Sequence, residues 1–376
     1  MSWKTENAGA ERRVIVTKDL PGRRWRDALV RARCEIVWST SRETLPIEEI
    51  RGAIGTRCDG VIGQLTEPWG EELFDALEKA GGKVYSNYAV GYDNVRVAEA
   101  TRRRIPVGNT PGVLTETTAE LAVALTFAAA RRVPESERFL REGRFHGWLP
   151  DLFLGKRLWK TTLGIAGAGR IGARYAKMMA VAHAMNVIYW DVTADPGLEE
   201  FFRSYSKFAA GAGEPAVDCR RAESFEELLR ESDVVSLHVP LNDSTRHLVD
   251  AERLSLMKPD AILVNTSRGP VIDEKALVEH LRKHPDFRCG LDVFENEPAV
   301  APGLAELPNA VIVPHIGSAT VWTRQGMATL AACNVAGILQ GYPVARRLVA
   351  REFVEGEFPR KTPSIVNRKE LGLAVE

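Results

Sequence analysis

The chain has 376 residues, 45% of them apolar, so it can bury a sizeable core and is long enough for two domains. Its 50 basic and 50 acidic residues cancel, which removes the electrostatic case for nucleic acid or an anionic membrane as main partner. The cysteines (Cys34, Cys58, Cys219, Cys289, Cys333) are odd in number and form no CxxC pair, so neither a disulfide framework nor a zinc site is expected. The richest apolar run, around LAVALTFAAA, is about ten residues long and suits a buried helix rather than a membrane span. MSWKTENAGAERR lacks a hydrophobic secretory core, Glu6 and Glu11 argue against a transit peptide, and no Ser-Lys-Leu closes the chain. A cytoplasmic setting is the expectation.

From about Arg13 to Thr110 the apolar runs RRVIVTK, CEIVWS, DGVIGQL, KVYSNYAV and IPVGNT alternate with helical patterns, which predicts a parallel sheet. TTAELAVALTFAAARR, residues 117–132, reads as a long helix carrying the chain into a second domain. There an apolar run leads into Gly167-x-Gly169-x-x-Gly172, a helical pattern follows, and a second run, Val187-Ile188-Tyr189-Trp190, ends in Asp191. Glycines so spaced permit a tight turn and let backbone approach a pyrophosphate at the positive end of the next helix. A plain turn would explain the glycines alone, but not the strand before, the helix after and the acid beyond. An acid at that strand end suits the adenosine ribose hydroxyls and repels a 2′-phosphate. Val192 and Thr193 supply no Arg to hold such a phosphate, so NAD(H) is expected over NADP(H).

The stretch from Thr193 to about Ala222 is long for a connection and reads as a surface excursion with one helical piece, LEEFFRSYSKFAAG. Strand signals resume at DVVSLHVP, AILVNT, FRCGLDV and NAVIVPH. The last three run into Asn265-Thr266-Ser267-Arg268-Gly269-Pro270, Asp292-Val293-Phe294-Glu295-Asn296-Glu297-Pro298 and Pro314-His315-Ile316-Gly317-Ser318. A cation, a carboxylate and an imidazole at one carboxyl sheet edge can anchor an anionic substrate and move one proton. Singly, Arg268 reads as a surface ion-pair residue, Glu297 as a loop acid and His315 as a strand-end histidine. Their order, their strand-end placement and the upstream nucleotide motif favour a catalytic set. After His315, ATVWTRQGMATLAACNVAGILQG has the length to cross back. The expected fold is α/β, with two doubly wound parallel-sheet domains. A dinucleotide-binding Rossmann domain (118–323) would be inserted into a flavodoxin-like substrate domain (12–117 and 324–376), with the cleft between them.

These motifs resemble those of the D-isomer-specific 2-hydroxyacid dehydrogenases over nearly the whole chain. They include CDGVIGQLTEPWGE, YAVGYDNV, VGNTPGVLTETTAELA, GAGRIG, NTSRGPVIDEKALVEHL, GLDVFENEP, VPHIGSAT and SIVNRKELGL. Within the family the chain looks most like the plant-type hydroxypyruvate reductases, also called glycerate dehydrogenases. The resemblance implies NADH-dependent reduction of hydroxypyruvate to D-glycerate, and of glyoxylate to glycolate. The alternatives are a glyoxylate, lactate or phosphoglycerate dehydrogenase, or an NAD(H)-sensing, corepressor-like interaction protein.

His315 would donate the proton to the C2 keto oxygen, and Glu297 would pair with it and favour the imidazolium. Arg268 would clamp the substrate carboxylate, as would the backbone N–H groups of Val90 and Gly91. Gly167, Gly169, Arg170, Ile171 and Gly172 would lie at the pyrophosphate and Asp191 at the ribose. Thr118, Thr266, Ser267, Asp292, His315 and Gly317 would line the nicotinamide side, with Val239 and Pro240 near the adenosine half. A homodimer through the dinucleotide domains is implied as well. Plant relatives commonly carry Cys and Ala where this chain has Thr266 and Gly317.

Glu295 competes with Glu297, and the acid immediately before Pro298 is the one that matches the family. His280 and His284 have a spacing that could hold a metal, but an exposed helix face is expected; no metal is. His238 is expected to pack, and Trp148 and Trp159 to be core or interface. No side chain that reads the substrate's C3 hydroxyl stands out.

Overall fold

The computed structural model describes residues 3–376. The chain forms two units, Met1–Leu114 with Ser318–Glu376, and Thr115–Gly317. Among the described residues the first holds six strands: β1 (Trp3–Glu6), β2 (Arg12–Val16), β3 (Cys34–Ser39), β4 (Gly60–Gly63), β5 (Val84–Asn87) and β6 (Val107–Gly108). Their order is β1-β3-β2-β4-β5-β6, parallel throughout except for the antiparallel β1–β3 pair. Val14, Ile15, Val16, Val61 and Ile62 are fully buried. Continuous β-branched runs of this kind suit a parallel sheet covered on both faces. The antiparallel β1 departs from the all-parallel expectation. Its sequence WKTE is a partly exposed edge strand with no apolar alternation to announce it.

The helix Val321–Leu339 packs on this sheet and is apolar nearly all round, as a buried helix must be. Thr320 caps it by accepting the Thr323 N–H. Asn334, fully buried within it, donates to the Asn109 carbonyl at 2.9 Å and accepts the Ser364 N–H at 2.8 Å, so its amide is satisfied at both ends.

The second unit holds β7 (Thr162–Ala166), β8 (Asn186–Trp190), β9 (Cys219–Arg221), β10 (Val234–Leu237), β11 (Ile262–Asn265), β12 (Arg288–Leu291) and β13 (Ala310–Ile312). All pair in parallel, in the order β13-β12-β11-β10-β7-β8-β9. The chain winds outward from β7 through β8 and β9, then returns to the other side of β7 at β10. That reversal is the switch point at which doubly wound sheets bind ligands. The helix Thr115–Ala130 lies against β12 so closely that a Cβ on Gly290 would come 2.9 Å from Leu125 Cβ. This helix falls wholly in the second unit and Val321–Leu339 wholly in the first, so the units change at 114/115 and 317/318, short of the expected 118 and 323.

Residues 193–222 carry the expected helical piece but are more than a surface excursion. Asp195 accepts the Leu198 N–H at 3.0 Å and caps a helix, Pro196–Gly211, that buries Leu198, Phe202 and Ala209. The chain then enters the sheet as β9, completing an ordinary crossover. The strand was hidden because CRR is short, polar and at the sheet edge. Among the described residues, no helix is long and apolar enough to cross a membrane. All five cysteines are unpaired, and burial pushes each thiol up to about 12. Such thiols are poor nucleophiles.

Candidate active site

At the end of β7, Gly167 adopts φ +91°, and a Cβ there would lie 2.8 Å from the His238 carbonyl carbon. A Cβ at Gly172 would lie 2.1 Å from Gly167 O. Two of the three glycines are therefore demanded by backbone packing. Gly169 differs: nothing lies within 4 Å of the place its Cβ would occupy. It caps the helix Arg170–His183, so an N-terminus with Arg170 and Ile171 in its first turn faces open space. This is the cradle a pyrophosphate needs.

Asp191 reaches back from β8, and its Oδ2 accepts the Ala168 N–H at 2.8 Å, placing the acid at the glycine turn. Thr266, after β11, buries a hydroxyl that has no hydrogen-bond partner among the described residues. Thr118 is buried in the first turn of its helix, beside Gly317. Val239 is buried after β10, and the carbonyl of Pro240 accepts the Thr245 hydroxyl. These residues fit a dinucleotide.

Sequence reasoning missed Arg221. Its Nη2 donates to the carbonyl of Asp191 at 2.7 Å and to that of Val192 at 3.3 Å. Only the pairing of β8 with β9 brings it to the turn that Val192 and Thr193 seemed to leave without a guanidinium. His238 is buried against Ser236 Oγ at 2.9 Å, and burial holds its imidazole down at about 3, a neutral packing group at neutral pH. His280 packs on His284 and Phe287, with ring centroids 4.3 and 4.6 Å away.

Three further strand ends meet along the same edge. After β11, Asn265 pins the turn: its Oδ1 accepts Ser267 N–H and hydroxyl at 3.0 and 2.8 Å, and its Nδ2 donates to the Arg268 carbonyl at 2.9 Å. A Cβ on Gly269 would fall 1.9 Å from Phe294 C, so this turn lies directly on the loop after β12. Arg268 Nη1 donates to the Ser267 carbonyl at 2.8 Å. After β12, Asp292 is 1% exposed and accepts Ile316 N–H at 2.6 Å and Gly317 N–H at 2.8 Å. Both its oxygens thus hold the turn that carries His315. Burial raises the Asp292 carboxyl, and those two hydrogen bonds only partly oppose it.

His315 follows β13 with φ 52°, a left-handed conformation in which non-glycine residues are uncommon. Its Nδ1 lies 2.8 Å from Glu297 Oε2, while Glu297 Oε1 accepts the Phe294 N–H at 3.1 Å. Burial works against ionising Glu297, but the His315 bond and charge, the Phe294 N–H and Arg268 outweigh it and hold the carboxyl below its ordinary 4.5. An ionised Glu297 accepts a hydrogen bond from Nδ1–H and leaves Nε2 as the nitrogen able to exchange a proton outward. Glu295 is committed elsewhere: His247 Nε2 lies 2.7 Å from its Oε1, and its Oε2 accepts the Glu274 N–H. Of the two acids, Glu297 is the one that pairs with His315. The edge holds a guanidinium, an ionised acid and an imidazole with one nitrogen turned away from its partner.

In the first unit, Val90 and Gly91 follow β5. Their carbonyls are engaged, Val90 O by Asn109 Nδ2 and Gly91 O by Asn87 Nδ2, each at 2.9 Å. Asn87 also accepts the Tyr85 hydroxyl at 2.9 Å and donates to Asn94 Oδ1 at 3.0 Å. This amide web was not foreseen; the Asn in GYDNV and GNT gave no signal distinct from turn chemistry.

The family described as D-isomer specific 2-hydroxyacid dehydrogenase, NAD binding domain, matches residues 123–317. The chain is 54% identical over 372 residues to a glycerate dehydrogenase of Cucumis sativus, covering 98% of this chain and 97% of that one. It is 53% identical to a peroxisomal glycerate dehydrogenase of Arabidopsis thaliana, covering 100% and 98%. A Thermus thermophilus crystal structure matches with a TM-score of 0.77 at 39% identity, over 94% of this chain and 99% of the other. The chain belongs to the D-isomer-specific 2-hydroxyacid dehydrogenase family. It is an oxidoreductase with a domain for a nicotinamide dinucleotide.

Proposed function

We propose that the protein reduces hydroxypyruvate to D-glycerate with NADH, and glyoxylate to glycolate more slowly. The observation that carries this reading is the 2.8 Å bond between His315 Nδ1 and Glu297 Oε2 at the sheet edge that also carries the glycine cradle. Similarity to the glycerate dehydrogenases, over essentially full length, supports the choice of substrate. When bound, NADH supplies the hydride that C2 of the keto acid receives. His315 Nε2–H gives its proton to the C2 oxygen, and Glu297 holds the ring and balances its charge. Arg268 draws the substrate carboxylate and the carbonyl oxygen toward one planar cation. The Val90 and Gly91 N–H groups, on a loop whose carbonyls are already tied, are the backbone donors assigned to the carboxylate.

NADH is preferred over NADPH in this reading, because the Asp191 carboxylate occupies the turn where a 2′-phosphate would sit and Arg221 is engaged with carbonyls. Protomers would pair through the second unit, whose segment with Leu140, Phe145, Trp148, Leu149 and Leu154 is apolar and exposed. The setting is cytoplasmic on this reading. The test is NADH oxidation followed on adding hydroxypyruvate, glyoxylate, pyruvate or 3-phosphohydroxypyruvate, repeated with NADPH. Hydroxypyruvate should give the highest kcat/KM, with D-glycerate as product. Absence of turnover on all four acids, or a clear preference for NADPH, would contradict the reading.

A further inference from the structure

The first unit contains a side chain that is held but not satisfied. Gln64 follows β4, and its backbone is fixed at both poles: its N–H donates to Glu67 Oε2 at 3.1 Å, and its carbonyl accepts Asn94 Nδ2 at 3.0 Å. Glu67 is fully buried and also takes the Trp69 indole N–H at 3.0 Å. Asn94 is bonded to Asn87, which holds the Gly91 carbonyl. One amide web therefore fixes Gln64 and the Val90–Gly91 loop together. Against that order, Gln64 Nε2 is shut off from solvent and has no hydrogen-bond partner among the described residues. A buried amide donor without an acceptor costs free energy, and native structures keep few of them.

Its place in the sheet gives the orphan a purpose. Strands β2 and β4 are neighbours across the reversal of strand order, and ligands of such sheets bind beyond the carboxyl ends at that point. Beyond β2, Lys18 is turned away, its Nζ bonded to the carbonyls of Ser41 and Glu43, while the Gln64 amide directly follows β4.

We propose that Gln64 is the specificity residue of this enzyme, binding the C3 hydroxyl of a 3-hydroxy-2-keto acid while the Val90–Gly91 loop binds its carboxylate. A carboxylate only accepts hydrogen bonds and is served by backbone N–H groups and a guanidinium. A hydroxyl both donates and accepts, and a primary amide matches it, Nε2–H giving to the hydroxyl oxygen and Oε1 taking its hydrogen. Pyruvate, which lacks only that hydroxyl, leaves the Gln64 donor orphaned and is thereby rejected. The inference rests on the hydroxypyruvate reading above.

The experiment compares kcat/KM for hydroxypyruvate, pyruvate and glyoxylate in wild type, Gln64→Leu and the unbranched Gln64→Met, with NADH affinity and Tm alongside. Loss of the amide should lower kcat/KM for hydroxypyruvate by roughly 10- to 100-fold and leave pyruvate and glyoxylate within about threefold, so the hydroxypyruvate-to-pyruvate ratio collapses. If Leu does not fold there, the Met variant carries the same expectation. An unchanged ratio, or an equal fall on all three acids, overturns the assignment while leaving hydroxypyruvate reduction standing. Wild-type enzyme that ignores hydroxypyruvate but reduces another keto acid overturns the reading beneath it.

Discussion

The two sheets carry different chemistry at their carboxyl edges. In the seven-stranded sheet, ionisable groups are bound to one another or to backbone: His315 to Glu297, Asp292 to the N–H groups of Ile316 and Gly317, Asp191 to Ala168. In the six-stranded sheet the corresponding edge is framed by neutral amides, Asn87, Asn94 and Asn109, around one buried acid, Glu67. Burial raises the Glu67 carboxyl, with hydrogen bonds from Thr17, Trp69 and Gln64 opposing it. The first edge can move a proton because its charges are poised against each other. The second is framed by amides and backbone, which hold shape and direction without titrating, around the single acid Glu67. On the proposed reading, one open-sheet architecture serves reaction in one unit and selection in the other.

That division can be broken by substitution. Arg268→Ala should cause the largest loss at the charged edge, lowering kcat/KM for the keto acid by about 10²–10³ while NADH affinity stays near wild type; a parallel loss of NADH binding would remove Arg268 from the substrate role. Glu297→Gln should lower kcat by roughly 10- to 100-fold at neutral pH, an effect of the size seen when the partner orienting a functional histidine is removed. Because the Glu297 carboxyl is held below 4.5, its pairing with His315 is present above that value and is lost only as pH falls through the lowered value. A wild-type pH–rate profile should therefore show no loss attributable to Glu297 at neutral pH, and Glu295→Gln should leave kcat nearly intact. At the amide edge, Asn94→Ala should raise KM for the keto acid by only about 3- to 10-fold with little change in kcat, while orphaned carbonyls cost about 1–3 kcal/mol of stability measurable by denaturant melts. A collapse of kcat with unchanged KM would place proton chemistry at the wrong edge.

Much of the charged edge is legible in the sequence because its signals are local. The glycine spacing, Asp191 at the next strand end and the three patches after β11, β12 and β13 each fit within a few residues. The rest depends on contacts between distant segments. Arg221 lies thirty residues beyond Asp191 and arrives only through the β8–β9 pairing. In the sequence, family resemblance alone separates Glu297 from Glu295, and the physical difference appears only where the loop after β12 turns one carboxylate toward His315 and the other toward His247. Strands β1 and β9 escaped because short polar edge strands carry no alternation. Gln64 could not be singled out from residues alone, since an unsatisfied donor is defined by what fails to surround it.

The claim that the charged edge performs the proton transfer is tested most directly with His315→Ala. Steady-state reduction of hydroxypyruvate should be measured beside NADH binding, titrated by fluorescence. The account predicts a fall in kcat of about 10²–10⁴, the range for lost acid–base help, with NADH affinity within a few-fold of wild type. Near-native turnover by the variant would contradict it.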